Sequence, residues 1–294
     1  MRKDASDIQR RNYGHFDTFE TAQVRPCDAK SSVAQKRQAC PVDVDILEPP
    51  ALAAGLTMLN VAHTTNIRVD AFADNITVNS ANLHINTWHD SELLKAACTW
   101  FHVAPHDQDI QTGQFATPGG GFDGPAEKTN AARITFPHEY AQPPRVIVWL
   151  NQIDMRGDRN CRIFARADEI TRDGFTIRLE TWGDSVLHGA RASWIAHRSD
   201  MRGVASGTFG TTDARPPDNP QKYTSGRASF PAGAFRGVPT VLAALNALDV
   251  KRFNNLRVRL RTDSACEHGF SWHIDSWVDT ALYSGRASFI AFDT

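Results

Sequence analysis

The sequence predicts an all-β protein made of three tandem six-stranded antiparallel β-sandwiches. Three observations support this prediction. One set of motifs recurs three times at nearly constant spacing, the residue pattern within each copy alternates with a period of two, and helical periodicity is absent from most of the chain. The exception is the segment from Ser91 to Ala97, where the pattern permits a helical turn.

The repeat becomes visible when the copies are aligned on Pro50, Pro144 and Pro239, after which they match without gaps for about 50 residues. An arginine recurs at offset 18 from the proline, a tryptophan at offset 38, an aspartate at offset 40 and an aromatic residue at offset 50. These residues are Arg68, Arg162 and Arg257; Trp88, Trp182 and Trp277; Asp90, Asp184 and Asp279; and Trp100, Trp194 and Phe289. The copies also share an opening G-x-F-x-T motif, and they differ in length only before the proline, as expected of a surface loop. We therefore expect a flexible tail over residues 1–11 and copies over 12–104, 111–198 and 205–294.

Copy two shows the strand pattern best. Residues 145–150 form a run rich in β-branched side chains, and residues 161–167 and 175–182 alternate between apolar and polar positions. Asp173 and Gly174 mark the turn between the two alternating segments. Together with the opening segment, residues 134–136 and residues 191–197, this predicts about six short strands per copy, which an antiparallel sandwich would bury.

The alternation also assigns side chains to the core or to the outer face of each strand. Phe175, Ile177 and Leu179 are predicted to point inward, and Trp182 outward with polar neighbours. The same parity places Trp88 and Trp277 outward, whereas the aromatic residues at offset 50 are predicted to lie in the core. An outward tryptophan needs a partner surface, and two interpretations remain open. It packs across an interface between copies, or it forms a platform on which a sugar ring stacks.

The arginine at offset 18 also lies on the predicted outer face, because Ile67, Val69 and Ala71 alternate inward around Arg68. A single surface arginine is usually only solvated. Three arginines at one offset predict a shared forked donor, either to sugar hydroxyls or across a contact between copies.

Composition excludes several classes of function. The formal net charge of -1 provides no reason to expect nucleic acid or an anionic membrane as a partner. No apolar run reaches the length that spans a bilayer, and the polar start lacks the apolar core of a secretory signal. We therefore expect a cytoplasmic protein, or one secreted by a route without a signal peptide.

The five cysteines occupy unrelated positions in the copies, which favours reduced thiols over a disulfide framework, although Cys27 and Cys40 could pair if the chain is exported. The absence of CxxC spacing predicts no metal site, and no cofactor is expected.

Several motifs of copy two, in order along the chain, resemble the H-type lectin domain. They are the run from Pro143 to Met155, Asn160-x-Arg162-Ile, Gly174-Phe175 and Thr181-Trp182. The resemblance extends over about 280 of the 294 residues, and the family includes a snail agglutinin and the C-terminal part of discoidins. It implies a six-stranded sandwich that assembles as a trimer. It also implies binding of galactose-type sugars, notably N-acetylgalactosamine, at the cleft between neighbouring protomers.

The resemblance further implies which residues form the sugar site: the arginine of Asn-x-Arg and a Trp-His pair from one protomer, with an aspartate from the neighbour's loop before the proline pair. Here these are Arg68, Arg162 and Arg257 with Trp88, Trp182 and Trp277, and the loop aspartates are Asp123 and Asp218, with Asp28 in the longer loop of copy one. The histidine matches only at His89, because Gly183 and Val278 replace it in the other copies.

The predicted function is therefore a non-enzymatic, carbohydrate-binding lectin whose partners are glycans or glycoproteins. No catalytic residues are expected, because nucleophile-elbow and HExxH motifs are absent, and Pro105 interrupts the helical spacing of His102 and His106. The alternative is a structural or protein-binding β-sandwich module with degenerate sugar sites. Because one chain carries three copies, we expect an intramolecular pseudo-trimer that exists as a monomer of 32.6 kDa or a small oligomer of it.

Overall fold

A computed structural model describes residues 13–18, 25–27, 31–39, 49–77, 80–118 and 127–293. The predicted tail over 1–11 lies outside these ranges. The described residues form nineteen strands, all paired antiparallel, and one short 3₁₀ helix, Thr211–Asp213. The all-β prediction is confirmed. The helical turn expected over Ser91 to Ala97 is wrong, because residues 93–97 begin a strand that pairs on both sides.

The strand boundaries are as follows. Copy one contains β1 (Tyr13–Asp17), β2 (Arg25–Cys27), β3 (Ser31–Ala39), β4 (Ala51–Val61), β5 (Ile67–Asp74), β6 (Ser80–Asn86) and β7 (Leu93–Val103). Copy two contains β8 (Ile110–Ala116), β9 (Thr129–Thr135), β10 (Arg145–Met155), β11 (Cys161–Asp168), β12 (Gly174–Glu180) and β13 (Leu187–His197). Copy three contains β14 (Val204–Gly210), β15 (Ser225–Ser229), β16 (Thr240–Val250), β17 (Leu256–Cys266), β18 (Gly269–Ser276) and β19 (Leu282–Phe292).

Each copy divides its strands between two sheets, and each of the three described sheets joins strands of two copies. The strand orders are β1-β7-β4-β17-β18-β15, β2-β3-β6-β5-β10-β13-β8 and β14-β19-β16-β11-β12-β9. The three junctions are equivalent: β10 pairs with β5, β16 with β11, and β4 with β17. Copy one is therefore hydrogen-bonded to copy two, copy two to copy three, and copy three to copy one. The residue pattern of the sequence predicts the sandwiches, but it does not indicate that their sheets continue across the copies.

The sandwich core contains the side chains that the alternation predicted to point inward. Phe175, Ile177 and Leu179 are fully buried, and the offset-50 residues Trp194 and Phe289 pack edge-on against inward phenylalanines of their own copies. The prediction that the aromatic residues at offset 50 belong to the core is confirmed.

A second apolar core lies where the three long strands β4, β10 and β16 contact one another. Gly55, Trp149 and Ala244 occupy the same offset in these strands and meet there. A Cβ atom at Gly55 would lie 2.4 Å from the Cβ of Ala244 and 2.7 Å from that of Trp149, so only glycine fits. Trp149 is fully buried, and its Nε1 donates to the backbone oxygen of Ser288 in copy three at 3.0 Å. One large and two small residues thus fill this contact between the copies.

Candidate functional site

Each tryptophan at offset 38 begins a turn that follows a strand. The strands end at Asn86, Glu180 and Ser276, so the prediction that the tryptophans lie on a strand face is wrong: alternation does not mark where a strand ends. In each turn the tryptophan carbonyl accepts a hydrogen bond from the backbone N–H three residues later. The donors are Ser91, Ser185 and Thr280, each at 3.3 Å. All three copies therefore present the tryptophan in the same local geometry.

The second residue of this turn has a positive φ in all three copies: 54° at His89, 64° at Gly183 and 57° at Val278. Glycine adopts this conformation without steric cost, whereas histidine and valine are strained in it. Such strain is maintained only where the surroundings impose it, and it is found disproportionately at functional sites. Val278 is the more unusual of the two, because a β-branched residue adopts a positive φ less readily than histidine does.

A hydroxyl group then holds each turn against the neighbouring strand. Ser91 Oγ donates to the Asn66 carbonyl at 2.5 Å, and Ser185 Oγ donates to that of Asn160 at 2.5 Å. Thr280 Oγ1 donates in the same way to the carbonyl of Asn255 at 2.6 Å. These asparagines stand two residues before the repeated arginines, so the bond places each tryptophan turn beside an arginine.

The arginine of each copy donates to the aspartate that follows its tryptophan by two residues. The Nη1–Oδ1 distance is 2.5 Å in the pairs Arg68–Asp90, Arg162–Asp184 and Arg257–Asp279. These hydrogen bonds lower the pKa of Asp90 and Asp184 below the usual aspartate value. Recurrence at offset 40 marks these aspartates as part of the repeat, but recurrence alone indicates no role for them.

At two of the three junctions a carboxylate of the next copy approaches the arginine. Arg68 Nε lies 3.3 Å from Asp154, and Arg162 Nε donates to Asp249 at 3.2 Å. Burial raises the pKa of Asp154 and Asp249 despite the neighbouring arginines. At the third junction Arg257 is in register with Asn60, which carries no charge. We call these places clefts one, two and three, in the order of their arginines.

The asparagine of Asn-x-Arg connects the copies directly. Its side-chain Oδ1 accepts a backbone N–H from the next copy in all three clefts. The donors are Gly157 to Asn66 at 3.2 Å, Arg252 to Asn160 at 3.0 Å, and His63 to Asn255 at 3.2 Å. The arginine and the tryptophan turn of each copy are therefore anchored at a contact between copies.

Comparison with known proteins identifies the family. The model of the H-type lectin domain matches residues 47–102, 131–197 and 226–292. The chain belongs to the H-type lectin domain family. The three matches also confirm the three tandem copies, and the protein is a carbohydrate-binding module of the lectin type.

Among curated proteins, this lectin is 35% identical over 82 residues to "ATP synthase subunits region ORF 7" of Fuscovulum blasticum, covering 28% of the chain and 71% of that protein. Two structures of discoidin II from Dictyostelium discoideum are similar at 16% and 13% identity, with TM-scores of 0.26 and 0.27. The matches cover 56% and 57% of this chain and 75% and 77% of the discoidin chains. We base the family membership on the three sequence matches.

The clefts of this H-type lectin differ in the room and polarity they offer. Trp182 is 39% exposed, whereas Trp88 and Trp277 are half-buried. In cleft two a Cβ atom at Gly183 would come within 2.6 Å of Arg162 Nη1, so the arginine occupies the space of a side chain there. In cleft one His89 stands in the turn between Trp88 and Asp90, beside the Arg68–Asp90 ion pair. Cleft one therefore contains more hydrogen-bonding groups than the others.

Of the three predicted loop aspartates, Asp218 alone lies within the described residues. Asp123 and Asp28 lie outside the described residues. Asp218 is exposed in a turn after Pro216-Pro217, where the Arg215 guanidinium donates to the backbone oxygen of Asn219 at 3.3 Å. A role for Asp218 in sugar binding remains a prediction.

The described part of the lectin contains no group of three or more His, Cys, Asp or Glu side chains that could hold a metal ion. None of its helices has the length and apolar character needed to cross a membrane.

Proposed function

We propose that the lectin binds galactose-type glycans, notably those ending in N-acetylgalactosamine, at the three clefts between its copies and without catalysis. The observation that supports this most directly is the constellation at each junction. A partly exposed tryptophan stands beside an arginine that is held by an aspartate of its own copy. At two of the junctions a carboxylate of the next copy approaches the arginine as well. An aromatic face packs against sugar C–H groups, while guanidinium and carboxylate hydrogen-bond the hydroxyls.

Cleft one has the most complete set of groups. Arg68 stands between Asp90 and Asp154, and Trp88 and His89 lie in the adjoining turn. The position of His89 beside this ion pair supports a binding role, because its imidazole can donate to or accept from a hydroxyl. We therefore expect cleft one to bind most tightly. Cleft two, with Gly183, should follow, and cleft three should bind most weakly because Val278 and Asn60 replace the histidine and the carboxylate.

We further propose that the chain functions as a single-chain pseudo-trimer. The equivalent strand junctions and the three Asn-to-backbone hydrogen bonds support this arrangement. A monomer of 32.6 kDa, or a small oligomer of it, is the expected solution state. A scattering profile of three domains in a line would contradict the proposal. We also propose a cytoplasmic location, because Cys98, Cys161 and Cys266 are free thiols.

Retention on an N-acetylgalactosamine resin, followed by elution with the free sugar, tests the proposed specificity. Titration of the sugar into the purified chain should then show that Trp88→Ala weakens binding by about 1–3 kcal/mol, the range typical of stacking on an aromatic side chain. The matched variants Trp182→Ala and Trp277→Ala should reduce binding less, because they leave cleft one intact.

Two results would count against the proposed function. A wild-type chain that is not retained would favour a structural or protein-binding role. Equal retention of the wild type and of the variant lacking all three tryptophans would exclude these tryptophans as platforms.

A further inference from the structure

We propose that cleft three binds a galactose-type sugar that carries an apolar aglycone, such as an alkyl chain. The aglycone would lie on Phe253 and Val278, two residues of copy three that border the cleft and that we call the apolar rim. Their side chains are 60% and 62% exposed. The inference rests on the proposed function, because it names the ligand class of one of the same three clefts.

Two segments of copy three bring the apolar rim together. Phe253 lies in the loop between β16 and β17, and Val278 lies in the turn that begins at Trp277. Asn254 follows Phe253 directly and Asp279 follows Val278, and a bond between Asn254 and Asp279 is one of three that join the loop to the turn. The three are Lys251 N–H to the Ala281 carbonyl at 3.0 Å, Asn254 Nδ2 to the Asp279 carbonyl at 2.8 Å, and Thr280 Oγ1 to the Asn255 carbonyl at 2.6 Å. The Asp279 side chain is also the partner of Arg257, so the apolar rim borders cleft three itself.

Comparison of the copies shows that the fold does not require apolar residues at these positions. The residues at offsets 14 and 39 from the aligned proline are Thr64 and His89 in copy one, Asp158 and Gly183 in copy two, and Phe253 and Val278 in copy three. All three copies form the same strands and the same turn around these positions. Only copy three has large apolar side chains at both, so the difference concerns the surface of cleft three and not its folding.

Backbone strain supports a binding role for the apolar rim. Phe253 has a φ of 76° and Val278 a φ of 57°, which are outlying values for an aromatic and a β-branched residue. Neither Thr64 nor Asp158 has a positive φ, so the strain at offset 14 is particular to copy three. Because both side chains are largely exposed, burial in the folded chain offsets little of this strain. A ligand that covers the two side chains would bury them.

An arginine holds the Phe253 ring in position. The Arg252 guanidinium lies 3.9 Å from the ring centroid, and its Nη1 donates to the Asp158 carbonyl of copy two at 3.1 Å. The guanidinium covers one face of the ring, while the exposed fraction of Phe253 shows that much of the ring is open to solvent. A cation–π contact therefore orders the ring before a ligand arrives, which lowers the entropy cost of binding.

The groups of cleft three select the class of ligand. Trp277 and the Arg257–Asp279 pair are retained, so the cleft keeps the groups that we propose hold a galactose-type ring. Val278 forms no side-chain hydrogen bond, and Asn60 brings no charge from the next copy. A methyl glycoside leaves the apolar rim in water, whereas an alkyl aglycone covers it and removes apolar surface of both partners from water. The apolar aglycone thus adds the affinity that this cleft loses in polar contacts.

Titration calorimetry on the full chain tests the inference. The ligands are the methyl and hexyl glycosides of N-acetylgalactosamine, with hexyl glucoside as the third. The chain carries Trp88→Ala and Trp182→Ala, so that cleft three alone keeps its tryptophan. We expect the hexyl glycoside to bind about 10-fold more tightly than the methyl glycoside, since burial of about 55 Å² of apolar surface corresponds to that factor. Hexyl glucoside, which lacks the galactose-type ring, should bind more weakly than the hexyl glycoside of N-acetylgalactosamine.

Matched variants locate the effect. Adding Phe253→Asn and Val278→Gly should abolish the preference for the hexyl glycoside and leave the affinity for the methyl glycoside unchanged. Asparagine and glycine tolerate a positive φ, so the melting temperature should not fall. Val238→Thr is the control, because this 63% exposed side chain lies at the opposite end of β16, about 33 Å from the apolar rim. That variant should keep the preference.

The outcomes separate this inference from the proposed function. A wild-type chain that binds neither glycoside of N-acetylgalactosamine would overturn both. Binding of the methyl glycoside by the wild type, without a preference for the hexyl glycoside in cleft three, would overturn this inference alone. Equal affinity for hexyl glucoside would overturn it as well, because the surface would then hold alkyl chains without the sugar. So would light scattering that shows a dimer of chains dissociated by Phe253→Asn, because a second copy would then cover the apolar rim.

Discussion

A methyl group added at Gly55 tests whether the three copies meet at the second apolar core. The new Cβ atom would lie 2.4 Å from Ala244 Cβ and 2.7 Å from Trp149 Cβ, far inside van der Waals contact. Both neighbouring atoms are attached directly to the backbone, so neither can swing away and the strands themselves must shift. Overpacking of this kind costs about 1–3 kcal/mol of unfolding free energy. For a chain of 294 residues this corresponds to a fall of about 2–5 °C in melting temperature.

The assay is thermal unfolding of Gly55→Ala beside two matched variants. Gly237→Ala adds the same methyl group where no atom lies within 4 Å, so it should melt at about the wild-type temperature. Ala244→Gly in the Gly55→Ala background removes the closest clash, and the double variant should be more stable than the two single changes together predict. Equal melting temperatures for Gly55→Ala and Gly237→Ala would refute the close approach of β4 and β16.

Two further predictions concern the stability of the folded chain. Val278 has a strained φ of 57°, and its side chain is 62% exposed. Chemical denaturation should therefore show that Val278→Gly raises the unfolding free energy by about 1 kcal/mol. Val278→Ala keeps a Cβ atom and should raise the unfolding free energy less. Because the pKa of His197 is about 4 in the folded chain and near 6.5 when unfolded, its contribution to stability is complete above pH 6.5 and declines by up to about 3 kcal/mol as the pH falls to 4. Melting curves between pH 7 and pH 5 should show a shallower loss of stability for His197→Gln, because glutamine binds no proton on unfolding. Buried carboxyls with a raised pKa, such as Asp154, titrate in the opposite sense but act equally in both proteins. Identical slopes for the two proteins would contradict the assignment.

The sequence by itself determined the repeat, the strands and the sandwich core. Alternation of side chains follows from the geometry of a single extended strand, so Phe175, Ile177 and Leu179 could be assigned to the core without knowledge of their neighbours. The arginines and tryptophans of the candidate site were also identified, because three copies in one chain show which positions recur. Alternation did not show that each tryptophan stands in a turn beyond its strand, since the period of two contains no signal for a strand end.

Only the tertiary structure decided which groups act together. Arg68 and Asp154 are 86 positions apart, and they meet because β5 of copy one pairs with β10 of copy two. The partner strand is chosen by packing among whole copies, which no local pattern encodes. The same limit applies to the asparagine of Asn-x-Arg, whose side chain joins two copies. The groups that meet at each junction come from separate strands, and their combined chemistry exists only after the strands have packed.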